Sequence, residues 1–141
     1  MGMHMSEKVK KVKLLKPFDI NKISIEKDEY FHNAYIVDLP LESVPDHVWQ
    51  DIFEREWKSS RHLWDRKIFI VGDKVRLITT EEDFEEKLDW VENVINQTNK
   101  AIDEYNRSVA AAKEMEMRKA LREERAIERL REILARKFSL V

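Results

Sequence analysis

The sequence predicts an α+β protein: a small three- or four-stranded, mainly antiparallel sheet covered by one helix. A long C-terminal helix follows, either coiled-coil-like or folded back as a helical hairpin. Three observations carry this. Residues 23–80 hold short β-branched and aromatic runs broken by turn residues. After Gly72 there is neither Gly nor Pro to the end of the chain. Beyond residue 80 the apolar positions recur with a heptad period.

The elements follow in order. Met1 to Ser6, with three Met and His4, read as a ragged start. In Lys8–Lys16 five Lys interleave with four aliphatics, and Pro17 closes the run. Such a run suits an edge strand whose Lys discourage further pairing, or an arm. Ile23 and Ile25 alternate with polar residues as in a short strand. Ala34 to Leu39 is a better strand, with Tyr35, Val37 and Leu39 on one face and Ile36 opposite. Ser43, Pro45 and Asp46 read as a helix start, and the helix buries Trp49, Ile52, Phe53 and Trp57. Ser59-Ser60-Arg61 ends it. Ile68–Val71, Gly72-Asp73 and Val75–Ile78 form a hairpin. Thr80, with Asp83 three residues on, opens the last helix at capping-box spacing.

From Phe84, apolar or small residues recur at Leu88, Val91, Ile95, Thr98, Ile102, Tyr105, Val109 and Ala112, in steps of four and three. Trp90 and Val94 widen this seam where the helix also covers the sheet. The pattern then slips, because the next seam position is Glu116 and the apolar residues move to Met117, Ala120, Ile127, Leu130, Leu134 and Phe138. Asn106-Arg107-Ser108 are weaker helix formers, so residues 106–116 are expected to be a stutter, a bend or a turn. One helix over residues 81–138 would be about 87 Å long. A globular part of about 100 residues has a radius of gyration near 13 Å and could shelter about half of it. The organisation expected is a basic arm or edge strand (1–22), an α+β domain (23–105) and an amphipathic helical extension (106–141).

Composition bounds the function. The chain has 141 residues, 26 Lys plus Arg, 28 Asp plus Glu and a net charge of -2. That near-balance hides an asymmetry. Residues 1–22 carry six Lys against Glu7 and Asp19, residues 81–112 three bases against nine acids, and residues 113–141 nine bases against six acids. The absence of Cys excludes disulfides, thiolate metal sites and a cysteine nucleophile. With no apolar run near the roughly 20 residues of a membrane span, a cytoplasmic protein is expected. A charged fraction of 38% with two Gly also fits heat adaptation.

Chemistry-bearing residues are sparse. His47 and Asp51 are four apart on one helix but lack a third ligand at suitable spacing, and the same holds for His62 with Asp65 and for His32. Asp38, Glu54, Glu56 and Asp65 are the carboxylates that could serve a small metal-dependent hydrolase or nuclease. The acids Glu81 to Glu86 are explained by a helix N-terminus. No phosphate loop, dinucleotide fingerprint or nucleophile elbow is present, and no cofactor is implied.

The reading that follows is a non-enzymatic interaction or assembly module. Its anchors are Tyr105, Met117, Leu121, Ile127, Leu130, Leu134 and Phe138, and its partner is a second copy, a dimer being favoured, or another protein. The alternative is nucleic-acid binding through Lys8, Lys10, Lys11 and Lys13 and the stripe of Arg118, Arg122, Arg125, Arg129 and Arg136. The loop Arg61–Lys67, with Trp64 among bases, could add stacking. A solvated outer face is the ordinary account of such an Arg stripe.

Overall fold

The computed structural model describes residues 7–59 and 68–139. The loop Arg61–Lys67, with His62, Trp64 and Asp65, and the start Met1–Ser6 lie outside the described residues. The chain divides into two compact units, Val9–Tyr105 and Met1–Lys8 with Asn106–Val141.

In the first unit, β1 (Ser24–Lys27), β2 (Ala34–Pro40), β3 (Ile68–Val71) and β4 (Lys74–Thr80) form one antiparallel sheet in the order β1-β2-β4-β3. The period-2 alternation sets its faces. One cross-strand row, Ile25–Val37–Leu77–Ile68, points to the core, and Val37, Leu77 and Ile68 in it are buried. The row one residue along, Ser24–Asp38–Arg76–Phe69, faces outward. Gly72 joins β3 to β4 with φ +62°, in a two-residue turn whose first central residue alone has positive φ, as in type II′.

The first helix, α1, spans His47–Lys58 and starts later than Ser43 and Pro45 suggest. Asp46 is itself the cap, with extended backbone and Oδ1 accepting from the Val48 N–H at 2.7 Å. A carboxylate on the exposed N–H groups wins over the hydroxyl three residues earlier. Trp49, Phe53 and Trp57 are buried, and the Trp49 and Phe53 rings stack at 5.1 Å.

The second helix, α2, spans Phe84–Lys137. The expected Thr80 contact forms, since its Oγ1 accepts from the Asp83 N–H at 3.3 Å. Residues 81–83 nevertheless make a turn, and the helix begins at Phe84. A break at residues 106–116 and the folded-back hairpin are both corrected: α2 continues to Lys137 without a turn. The reason is local. Asn106, Arg107 and Ser108 each cost only a few tenths of a kcal/mol relative to Ala, and strong helix formers follow them.

Up to Ile102 the heptad seam is core. Val91, Ile95, Thr98 and Ile102 are buried, as are Trp90 and Val94. Thr98 is tolerated there because its Oγ1 donates to the Val94 carbonyl one turn back, at 2.8 Å. The Lys-rich segment also enters this core. Val9, Val12 and Leu14 are buried while Lys8, Lys10, Lys11 and Lys13 stay exposed. A single antiparallel bridge joins Leu14 to Leu41, with Leu15 N–H donating to the Pro40 carbonyl at 2.9 Å.

Asn99, 7% exposed, closes the arrangement. Its Oδ1 accepts from the Trp49 Nε1–H at 2.9 Å and the Val12 N–H at 3.3 Å, and its Nδ2 donates to the Val12 carbonyl at 2.9 Å. Asn99→Leu leaves three buried polar groups unpaired. It should destabilise the protein by about 3 kcal/mol in urea denaturation, whereas Asn93→Leu on the exposed face should change stability by less than about 0.5 kcal/mol.

Candidate functional site

Large apolar residues are exposed in the first unit at Ile20, Tyr30, Phe31 and Val44, and in a denser series on α2 beyond it. Met117, Leu121, Ile127, Leu130, Leu134 and Phe138, with Ile133 and Met115, are all between 48% and 69% exposed. These values are far from those of Val91 and Ile102, each at 0%. Tyr105 stands apart from the other anchors. It is partly buried and packs against the core of the Val9–Tyr105 unit.

At 3.6 residues per turn Ile127, Leu130, Leu134 and Phe138 share one face, whereas Met117, Met115 and Ile133 lie about 100° from its centre and Leu121 about 140° from it. Within residues 106–141, the seam runs through Val109, Ala112, Glu116, Ala120, Glu123, Ile127, Leu130 and Leu134. The step from Val109 to Ala120 is eleven residues, taken as three, four and four, so the apparent slip is a stutter that keeps one face. Beyond it the seam is a regular heptad, with Ala120, Ile127 and Leu134 at one position and Glu123, Leu130 and Lys137 at the other. Glu116 and Glu123 are charged residues inside an otherwise apolar or small seam.

The opposite face carries the Arg stripe. Arg118 pairs with Glu114 one turn back at 2.6 Å, both largely exposed. Arg122, Arg125, Arg129 and Arg136 are within salt-bridge distance of no described carboxylate, Glu132 one turn before Arg136 included. In the other unit the Lys-rich segment is partly neutralised, Lys11 by Asp103 at 3.2 Å and Lys16 by Glu92 at 2.6 Å.

Of the carboxylates considered for catalysis, the described ones, Asp38, Glu54 and Glu56, do not gather. Asp38 accepts two parallel hydrogen bonds from Arg76 on the outer sheet face, at 2.9 and 3.0 Å. That hydrogen bonding first, and the Asp38 charge second, raise the Arg76 pKa above its usual value, so the guanidinium is lost as a partner only in strong alkali. Glu54 pairs with Lys58 and Glu56 with Arg55 on α1. His47 and Asp51 do meet, at 3.5 Å, on an exposed turn of α1. Among the described residues, no three His, Asp or Glu side chains come together as a metal site. No helix among them is long and apolar enough to cross a membrane.

A second surface was not visible in the sequence. A cleft of about 280 Å³ opens on the inner sheet face, lined by Ile25, Tyr35, Val37, Thr79 and Phe84 among others. It exists because the helices leave the β1 side bare, which no single-strand pattern encodes.

The contrast along α2 is directly measurable. At concentrations too low for association, Ile102→Ala should cost about 3 kcal/mol in urea denaturation, and Leu130→Ala less than about 0.5 kcal/mol. Comparison of the chain with protein-family models, curated proteins and solved structures finds no match, so the argument for function rests on this geometry.

Proposed function

We propose that the protein is a non-enzymatic assembly module that self-associates through the seam of its C-terminal helix. The observation that carries this is the set of large apolar side chains on α2 between Met115 and Phe138, each at least 48% exposed among the described residues, with Ile127, Leu130, Leu134 and Phe138 on one face. Full burial of one such side chain is worth about 1.5–3 kcal/mol, and contiguous exposed apolar surface of this kind marks interaction sites. The heptad spacing selects a helix as the complementary surface, and a second copy supplies one. The 38% charged composition keeps the remaining surface hydrated, so association is confined to the seam. Light scattering over a concentration series should give twice the 17.0 kDa of one chain. In the variant Leu130→Glu/Leu134→Glu the mass should fall to that of one chain with the circular dichroism of the sheet and α1 retained. An unchanged mass in that variant counts against the reading.

One observation favours a second reading, nucleic-acid binding: Arg122, Arg125 and Arg129 form a stripe without carboxylate partners among the described residues. A backbone-neutralising surface of this kind predicts duplex affinity that falls steeply with salt. Arg122→Glu/Arg129→Glu should weaken binding about uniformly across sequences and lower the salt slope by about two. Absence of binding at low salt removes this reading and leaves the first untouched.

A further inference from the structure

The direction of pairing follows from the charges in and beside the seam. We infer that two copies pair antiparallel over residues 118–139, with Ile127 of each copy against Leu130 of the other. This rests on the self-association proposed above.

In a parallel, in-register pair each seam residue meets its own equivalent. Glu123 would face Glu123, and Lys137 would face Lys137, in the least hydrated part of the contact. Like charges placed together in this way oppose association strongly. The parallel arrangement offers in return a flanking contact between Lys119 and Glu124, which remains exposed and is worth little. The exchange is unfavourable.

The antiparallel register reverses each of these terms. Setting Ile127 against Leu130 places Glu123 opposite Leu134 and Ala120 opposite Lys137. The ammonium of Lys137 then lies between the levels of Glu116 and Glu123 of the other copy. The flanks become complementary as well. Glu124 and Arg131 occupy the same heptad flank, and in an antiparallel pair that flank meets itself, so Glu124 of each copy faces Arg131 of the other. Glu123, Glu124, Arg131 and Lys137 are exposed in the single chain, and none is within salt-bridge distance of an opposite charge among the described residues. All four are therefore available for contacts between copies.

The chain contains no cysteine, so single introduced thiols report the geometry of the full-length protein without interference. Glu123→Cys and Leu134→Cys chains, one carrying a mass tag, are mixed in equal amounts and gently oxidised. Antiparallel pairing brings positions 123 and 134 opposite each other, and a mixed disulfide should dominate. Equivalent positions are then about 16 Å apart along the axis, beyond disulfide reach, so like-with-like products should be minor. Dominant 123–123 and 134–134 products would overturn the antiparallel assignment and leave self-association standing. A dimeric mass without any cross-link would overturn the register. A mass of one chain and no cross-link would overturn both this inference and the reading it rests on. As a second readout, Arg131→Glu should weaken the dimer about tenfold, and Glu124→Arg in the same chain should restore it. In a parallel pair position 131 meets Ala126 instead, so an unchanged affinity in Arg131→Glu counts against the proposal.

Discussion

The carboxamide of Asn99 is the interaction on which the Val9–Tyr105 unit depends. A strand added to a sheet has its backbone N–H and C=O satisfied by a neighbouring strand. Val12 has no such neighbour, and the Asn99 amide takes that role, accepting from its N–H and donating to its C=O. The same oxygen takes the indole N–H of Trp49, which is fully buried on α1. One side chain of α2 thus holds both the N-terminal segment and the first helix. An isosteric apolar residue could fill the space but would strand three polar groups in a dry core, where each is costly to leave unpaired. The salt bridges Lys11–Asp103 and Lys16–Glu92 flank this clamp at the surface and add little by comparison.

With the segment fixed, the fate of the heptad seam follows. Val91, Ile95, Thr98 and Ile102 cannot serve as an intermolecular coiled coil, because Val9, Val12, Trp49 and the sheet already occupy the same core. Heptad spacing therefore has two meanings in one helix. Through Tyr105 it reflects packing on the protein's own core, and from Ala120 onward it describes an uncovered face. The periodicity is the same, and only the presence of a local cover differs.

This sets how much was legible in the residues themselves. The sheet was readable where period 2 and turn chemistry act locally. Ala34–Leu39 and the Gly72-Asp73 hairpin need no distant partner to be recognised. Ile25 was readable as strand, and the strand order was not, because β4 inserts between β2 and β3 through contacts far apart in sequence. Both helix starts come about three residues later than the cap signals suggest: at α1 Asp46 replaces Ser43 as the cap, and at α2 residues 81–83 form a turn under the Thr80 contact. The roles of Asn99, Lys87 and Asp28 were invisible. Each is a polar residue buried by tertiary contacts, as when Lys87 Nζ donates to the Ile78 carbonyl at 2.8 Å. The Lys-rich segment misled for a related reason. Its Lys set the apparent character of the run, while Val9, Val12 and Leu14 decide where it goes. The exposure of Met117, Leu121, Ile127, Leu130, Leu134 and Phe138 among the described residues agrees with a helix that runs on past the last strand, and only Tyr105 among the residues named as anchors packs on the core.

The acidic residues in that face are the final step. A seam optimised only for burial would place aliphatics at positions 116 and 123, and it would accept several registers and both directions with similar energy. Glu116 and Glu123 lower the stability of every pairing and lower it unequally, which is how a charged residue in a coiled-coil seam specifies an arrangement. They also weaken the attraction between exposed seams of unrelated helices, whose complementary bases will not fall at the level of Lys137. The stripe of Arg on the far side acts in the same direction: stacked cationic faces repel, so sheets of helices are disfavoured and the proposed association would stop once the seam is covered. In the proposed dimer, affinity would thus be traded for a single, closed mode of pairing.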